Sequence, residues 1–330
     1  MTWKSLHGNQ VQYHSRMPLM RVNGSEFGPG AYPVRGRRLY VDSNWGAAGV
    51  AGESLYSPLS TLQAAIDRLD TLGTPEDNTG AEIVCLPNHA ETVTGVGGLT
   101  FDVPGLTVTG LGNYNQRPRF LMDGGTTVTA VISGADVTLR NLVFASGHAS
   151  VATLFGVTGV GAHIDRCEAT DNTTSESFVL FASATGAAGT ANGLKITNSR
   201  WVPLISSVDA TNFLNITDDI ADLVVADNFV CHEGASATVG ALILQAGTKV
   251  MTRVQVTGNL FSSKITAGDI LIDNGGSANS GIFAYNLLGH ADVTGAHAVG
   301  ACTGCRFFEN YSVSTAVLSG VLLPAADVDL

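Results

Sequence analysis

The sequence predicts an all-β chain wound as a right-handed parallel β-helix, a solenoid with an N-terminal extended arm and a short capping helix. Three observations carry that prediction. A strand–Asn–apolar unit recurs beyond residue 100, a second apolar run lies inside most of its periods, and a single stretch shows helical periodicity. Composition agrees. Of 330 residues 39 are glycine, and only 14% are charged, against roughly 25% in ordinary soluble domains. The apolar residues are small or β-branched and sit in short runs broken by Gly, Asn, Asp, Ser and Thr, as strands and turns require.

Residues 1–38 read as the arm. They hold Lys4, Arg16, Arg21, Arg35, Arg37 and Arg38 against one acid, Glu26, a net +5 that leaves −16 on the rest of a chain of net charge −11. Gly24, Gly28, Pro29, Gly30 and Pro33 interrupt any helical or strand period, and Trp3, Leu6, Tyr13, Leu19 and Phe27 are the large apolar side chains. Trp3, Lys4, Arg16, Arg21, Arg35, Arg37 and Arg38 are the expected partner-binding set; a solvated terminus is the alternative.

Residues 39–80 read as a capping segment. Tyr40-Val41-Asp42 is a short strand, followed by a loop marked by Gly46, Gly49 and Gly52. Ser60 and Gln63 have capping-box spacing, and Leu62, Ala65, Ile66 and Leu69 share one helical face. Thr74–Asn78 breaks the pattern, and residues 81–330 form the predicted β-helix, opening on Ile83-Val84-Cys85-Leu86.

The repeat appears as Val137–Phe144, more weakly as His163–Cys167, then as Leu194–Trp201, Val224–Phe229, Val254–Phe261, Ile282–Leu288 and Phe307–Tyr311. From Asn141 to Asn310 is 169 residues in six intervals, about 28 each, a period suited to stacked coils. Each coil turns sharply, and one turn residue must accept positive φ, which Asn tolerates. Identical amides stacked coil on coil can also bond along the axis. Asn141, Asn198, Asn228, Asn259, Asn286 and Asn310 are therefore the expected structural ladder. Antiparallel strands of a sandwich are the competing arrangement.

Tyr40-Val41-Asp42-Ser43, the glycine loop, Ser57–Leu62 and Ala64–Asp67, with the Asn-bearing coils, resemble β-helices of the pectate-lyase superfamily, many phage virion proteins among them. The resemblance spans about residues 38–320. It implies a helix covering the open first coil. It is specific for fold and poor for function, because lyases, hydrolases, tailspikes and inert structural proteins share this scaffold.

A catalytic constellation is not evident. Asp218-Asp219, with His148 or His290 as a distant third group, is the best carboxylate pair, but consecutive strand residues face opposite ways, so a solvated turn is the expected role. The carboxylate, Gly-His-Gly and Arg-x-Lys series of polygalacturonase-like members is missing. The calcium-ligand cluster with a basic residue that lyase-like members carry is missing too. Lys195, Arg200, Lys249, Arg253, Lys264 and Arg306 read as scattered. Trp3, Trp45 and Trp201 form no aromatic platform, and the glycine-rich stretches precede no helix and are turns. The five cysteines suit buried, reduced thiols, and the lone CxxC of Cys302 and Cys305 lacks a second ligand pair for zinc. No metal or cofactor site is expected. The mean hydropathy of +0.21 comes without an apolar run of about 18 residues, so no membrane span is expected; nor does the start have a signal peptide's apolar stretch. An acidic body argues against nucleic acid.

A thin-cored coil with few charges has an outer surface of Thr, Ser, Ala, Val and Gly, which suits permanent cover by partners. The apolar stretch Val317–Pro324 fits such packing. The expected function is a non-catalytic phage capsid decoration or cement protein, a homotrimer seated between capsomers on the major capsid protein at the virion surface. The alternative is a tail-fibre or tailspike-type protein that binds or cleaves host polysaccharide.

Overall fold

A computed structural model describes residues 37–72, 78–95, 97–186, 189–202, 210–232, 240–263, 271–274, 278–290 and 304–314, and the backbone of the strands Val11–His14, Met17–Val22, Ser25–Phe27 and Val321–Leu323. The body is a parallel β-helix. Among the described residues, ten strands from Arg38–Val41 to Gly304–Phe308 form sheet I. Sheet II runs in parallel from Ala90–Val93 to Asn310–Ser314 and ends on the antiparallel Val321–Leu323, and seven strands from Leu99–Phe101 to Ile272–Asn274 form sheet III. The chain visits III, I and II in turn, so every strand pairs with its equivalent one coil away. Coils therefore stack at about 4.8 Å.

Alternation along these strands decides what is inside. In sheet I the pairing Leu39↔Ile83↔Val108↔Leu139↔Ile164↔Ile196↔Val225↔Val256↔Phe283 forms one inward column, and each of these side chains is buried. From sheets II and III, Phe120, Phe144, Phe155, Phe181 and Phe213 stack ring on ring at 4.5–5.4 Å between centroids. Offset and edge contacts of this kind add about 0.5–1.5 kcal/mol each beyond the area buried. Trp201 lies beside Phe181, fully buried, which explains why no aromatic platform is built from it.

The helix spans Leu62–Thr71 and buries Leu62, Ala65, Ile66 and Leu69 over the first coil, as the periodicity requires. Its cap differs by one residue from the sequence expectation. Thr61, extended at φ −134°, accepts from the Ala64 amide at 3.3 Å. Gln63 instead accepts from the Thr100 amide at 2.9 Å and donates to Asp67 at 2.7 Å, tying the cap to sheet III. Glu91 accepts from the Leu62 amide at 2.8 Å, placing negative charge at the helix start.

The N-terminal boundaries also need correction. Within the expected extended arm, the strands Val11–His14, Met17–Val22 and Ser25–Phe27 pair as an antiparallel sheet. Arg38 already belongs to sheet I and pairs with Glu82 at 2.6 Å, and Arg37 pairs with Glu53 at 2.9 Å. Both pair with acids of the body. Trp3, Lys4, Arg16 and Arg35 lie outside the described residues, as does the side chain of Arg21. Cys85 and Cys167 are buried thiols outside any disulfide, but Cys305 is disulfide-bonded, so the expectation of uniformly reduced cysteines fails. Cys302 lies outside the described residues.

The corner between sheets I and II separates two jobs that the sequence reading had merged. Its first residue is left-handed in coil after coil: Asn141, Arg166, Asn198, Asp227, Gly258, Tyr285 and Glu309 have φ between +47° and +68°. Its second is extended and turned inward: Leu142, Cys167, Ser199, Asn228, Asn259, Asn286 and Asn310 are all buried. Asn141 and Asn198 hold the strained position, and the other four form the ladder.

Asn228 donates through Nδ2 to Asn259 Oδ1 at 2.9 Å, Asn259 to Asn286 at 2.8 Å, and Asn286 to Asn310 at 2.7 Å. Each Nδ2 also reaches a carbonyl one coil back, from Ile196, Val225, Val256 and Phe283 in order. The Oδ1 atoms of Asn259, Asn286 and Asn310 in turn accept from the preceding Asn backbone amide at 3.1–3.2 Å. Ser199, whose amide donates to Asn228 Oδ1 at 2.9 Å, carries the pattern to the Cys167 amide at 3.2 Å.

Replacing a ladder amide orphans donors on one side and an acceptor on the other. Asn286→Ala should lower unfolding stability by at least about 2 kcal/mol, read as a fall in urea midpoint. Tyr285→Gly, one residue earlier, trades relieved left-handed strain against glycine entropy and should change it by less than about 1 kcal/mol.

Candidate functional site

The residue two places after each left-handed corner begins a strand of sheet II and faces outward. Pairing sets these residues in one column, Val143↔Glu168↔Arg200↔Phe229↔Leu260↔Leu287↔Tyr311, and adds Arg119, which follows a longer corner loop, beside Val143. Its chemistry changes midway. The first half contains guanidinium groups, whereas Phe229, Leu260, Leu287 and Tyr311 are 37–48% exposed and apolar. Across the corner, Ile282, Tyr285 and Phe308 extend the apolar half, each at least 44% exposed.

The first half is the floor of a cleft of about 810 Å³. One wall is the longest corner loop, Leu111–Pro118, which carries a single 3-10 turn at Tyr114–Gln116. Tyr114, 91% exposed with φ +49°, lines the opening. Arg117, Arg119, Arg166 and Arg200 line the cleft with one carboxylate, Glu168, a local charge of +4 − 1 = +3. Arg117 is anchored: it donates to Glu168 at 2.8 Å and to the carbonyls of Leu142 and Arg166 at 3.0 and 2.8 Å. Arg119 reaches only Asn172 Oδ1 at 3.5 Å, and Arg200 lies over the Phe229 ring at 5.6 Å. Among the described residues neither pairs with a carboxylate.

Below the cleft's corner lies a polar network. Asp165 accepts from Arg140 Nε, Thr197 Oγ1 and Asn198 Nδ2, all at 3.0 Å. Burial works to raise its pKa but is outweighed by the Asn198 and Thr197 hydrogen bonds and the Arg140 and His163 charges, so the carboxyl lies below its ordinary value. His163 Nε2 is 2.9 Å from Thr197 Oγ1. Burial, ahead of the opposing pull of Asp165, holds this imidazole below its ordinary value. Since Thr197 gives its proton to Asp165, its oxygen accepts from a neutral His163 protonated on Nε2. An activated nucleophile needs the reverse, a hydroxyl donating to the imidazole. The trio holds Asn198 and the corner in place.

Asp218 and Asp219 have separate partners. Lys249 donates to Asp218 at 2.7 Å, and the Val250 amide donates to Asp219 at 2.9 Å. Arg253 grips Asp222 with two hydrogen bonds of 2.7 Å. Lys249 and Arg253 are therefore placed against acids on the adjacent coil, contrary to the scattered reading; a linear sequence hides a partner 31 residues away. His148 is exposed at a turn and bonds to the Ala149 carbonyl at 2.9 Å; the His290 side chain lies outside the described residues. Burial pushes the Cys167 thiol up to about 12 and Cys85 further, leaving neither as a thiolate. Among the described residues no group of three or more His, Cys, Asp or Glu could hold a metal ion, and no helix is long and apolar enough to cross a membrane.

No protein-family model matches the chain, and no curated protein matches it. A solved structure described as rhamnogalacturonan lyase is similar over 87% of this chain and 75% of its own, with 11% identity and a TM-score of 0.44.

Two outcomes follow from these contacts. Asp218→Ala with Asp219→Ala should shift the unfolding temperature by less than about 5 °C, because surface turn contacts are all that is lost. Acid should act through His163 and Asp165. Both folded pKa values lie below the unfolded ones, so stability is complete above the unfolded values and is lost as pH falls through the folded ones. A melting curve should decline first below pH 6.5 and again below 3.8, the ordinary values of the two groups. His163→Gln should remove the upper step alone.

Proposed function

We propose that the chain is a non-catalytic structural protein of a phage particle, a capsid decoration or cement protein that assembles with copies of itself and seats on the major capsid protein. The apolar half of the sheet II column carries this reading. Four successive coils present Phe229, Leu260, Leu287 and Tyr311 outward in register, widened by Ile282, Tyr285 and Phe308. Scattered surface apolar residues are ordinary, but a contiguous ladder is the mark of a surface that meets a partner. The low charge content supports the same reading. A ladder repeated along a rigid axis suits a long, straight contact of the kind three parallel solenoids make around a common axis.

Cleavage of a polysaccharide is the competing reading. It requires two opposed carboxylates or a basic residue poised beside them. The acids Asp218, Asp219 and Asp222 are instead engaged in ion pairs or backbone contacts.

The ladder is open to test. Leu260→Asp with Leu287→Asp places charges on outward positions and should leave the melting temperature unchanged. Sedimentation should find the wild type as a trimer and this variant as a monomer that no longer decorates particles in electron micrographs. A wild type that stays monomeric and off particles across the micromolar range would sink the assembly reading.

A further inference from the structure

The guanidinium half of the same column adjoins the apolar half but differs from it in chemistry. We infer that the cleft beside Tyr114 binds an extended polyanion, a hydroxylated polymer carrying oxyanions at intervals. Arg117 neutralises Glu168, and among the described residues that leaves Arg119 and Arg200 without a carboxylate partner, with Arg166 beside them. Among the described residues Arg166 has only the distant Asp165, 4.0 Å away, as an opposing charge. They are not clustered on one point. Arg119 and Arg200 are three coils apart in the column, about 14 Å at one coil spacing per strand, with Arg166 at the corner between them. One phosphate or carboxylate cannot touch all three; a chain laid along the axis can.

Concentration of charge supports the assignment. Beyond residue 38 the chain has eleven Lys and Arg, 17 − 6, against 27 acids, 28 − 1. Four of those eleven line this cleft. Like charges gathered on an otherwise acidic body repel one another and are tolerated where an anion compensates them. The guanidinium fork matches carboxylate and phosphate oxygens alike. Asn113, Asn115 and the exposed Tyr114 ring add amide partners for hydroxyl groups and an apolar face for stacking. The surrounding negative charge disfavours a long duplex, whose backbone extends far past the cleft.

Arg119 and Arg166 do not touch the apolar ladder, whereas Arg200 lies over Phe229. Sedimentation of the double variant beside the binding assay therefore separates loss of the polymer from loss of assembly. Oligogalacturonate supplies carboxylates, and polyglycerol phosphate supplies phosphodiesters on a comparable polyol chain. Each is titrated calorimetrically into the full chain, with neutral dextran fragments and a DNA duplex as comparisons. At least one polyanion should bind, and raising salt from about 50 to about 200 mM should weaken it by tenfold or more. Arg119→Ala with Arg200→Ala should weaken it by about tenfold or more with unchanged melting; Arg119→Lys with Arg200→Lys should lose less. The arm that binds identifies the oxyanion. Absence of binding by both polymers, equal binding of dextran or of DNA, or affinity unchanged in the double alanine variant would overturn the assignment.

Discussion

The body depends on one constraint: in seven coils, from Asn141 to Glu309, the chain turns from sheet I to sheet II through two residues, the first left-handed and the second buried. Side chains alternate along a strand, so a slip of one residue at this corner would send an entire strand's core side chains to solvent. A left-handed first residue and a hydrogen-bonded or apolar second residue pin the register. The inward phenylalanine stack, the outward column on sheet II and the placement of the arginines are all consequences of that register.

The corner also explains the division of labour among polar residues. An Asn in the left-handed position is there for its backbone, and Arg166, Asp227, Tyr285 and Glu309 take the same place in other coils. An Asn in the second position is there for its side chain. With both amide ends satisfied by the coils on either side, burial costs it nothing further, whereas a lone buried amide would be expensive. Toward the N-terminal coils the same place is taken by Ser199, Cys167 and Leu142, and the core there relies on packing and stacked rings instead.

The fold was legible in the sequence because period and alternation are local: the spacing of Asn198, Asn228, Asn259 and Asn286 and the face of Leu62, Ala65, Ile66 and Leu69 need no knowledge of partners. Lys249 beside Asp218 was not legible, since loops of unequal length hide which residues meet across coils. The cleft was missed for a related reason. Arg119 follows an eight-residue loop, so it falls out of phase with Glu168 and Arg200 when the repeat is read by eye. Aligning coils on the left-handed residue instead of on Asn places Val143, Glu168, Arg200, Phe229, Leu260, Leu287 and Tyr311 in a single file. The merging of Asn141 and Asn198 with the true ladder came from the same choice of anchor.

A stack of parallel coils has no intrinsic length. Its hydrogen bonds run along the axis, and each end presents unpaired strand edges to which further strands can add, the geometry from which fibres grow. At one end Leu62–Thr71 lies over the first coil and closes the core. At the other, Val321–Leu323 doubles back against Asn310–Ser312 with its direction reversed. A reversed strand offers sheet II an edge that a parallel coil cannot continue in register. The two ends of the stack are thus unlike: a helix packed over the core at one, and at the other a reversed strand on sheet II.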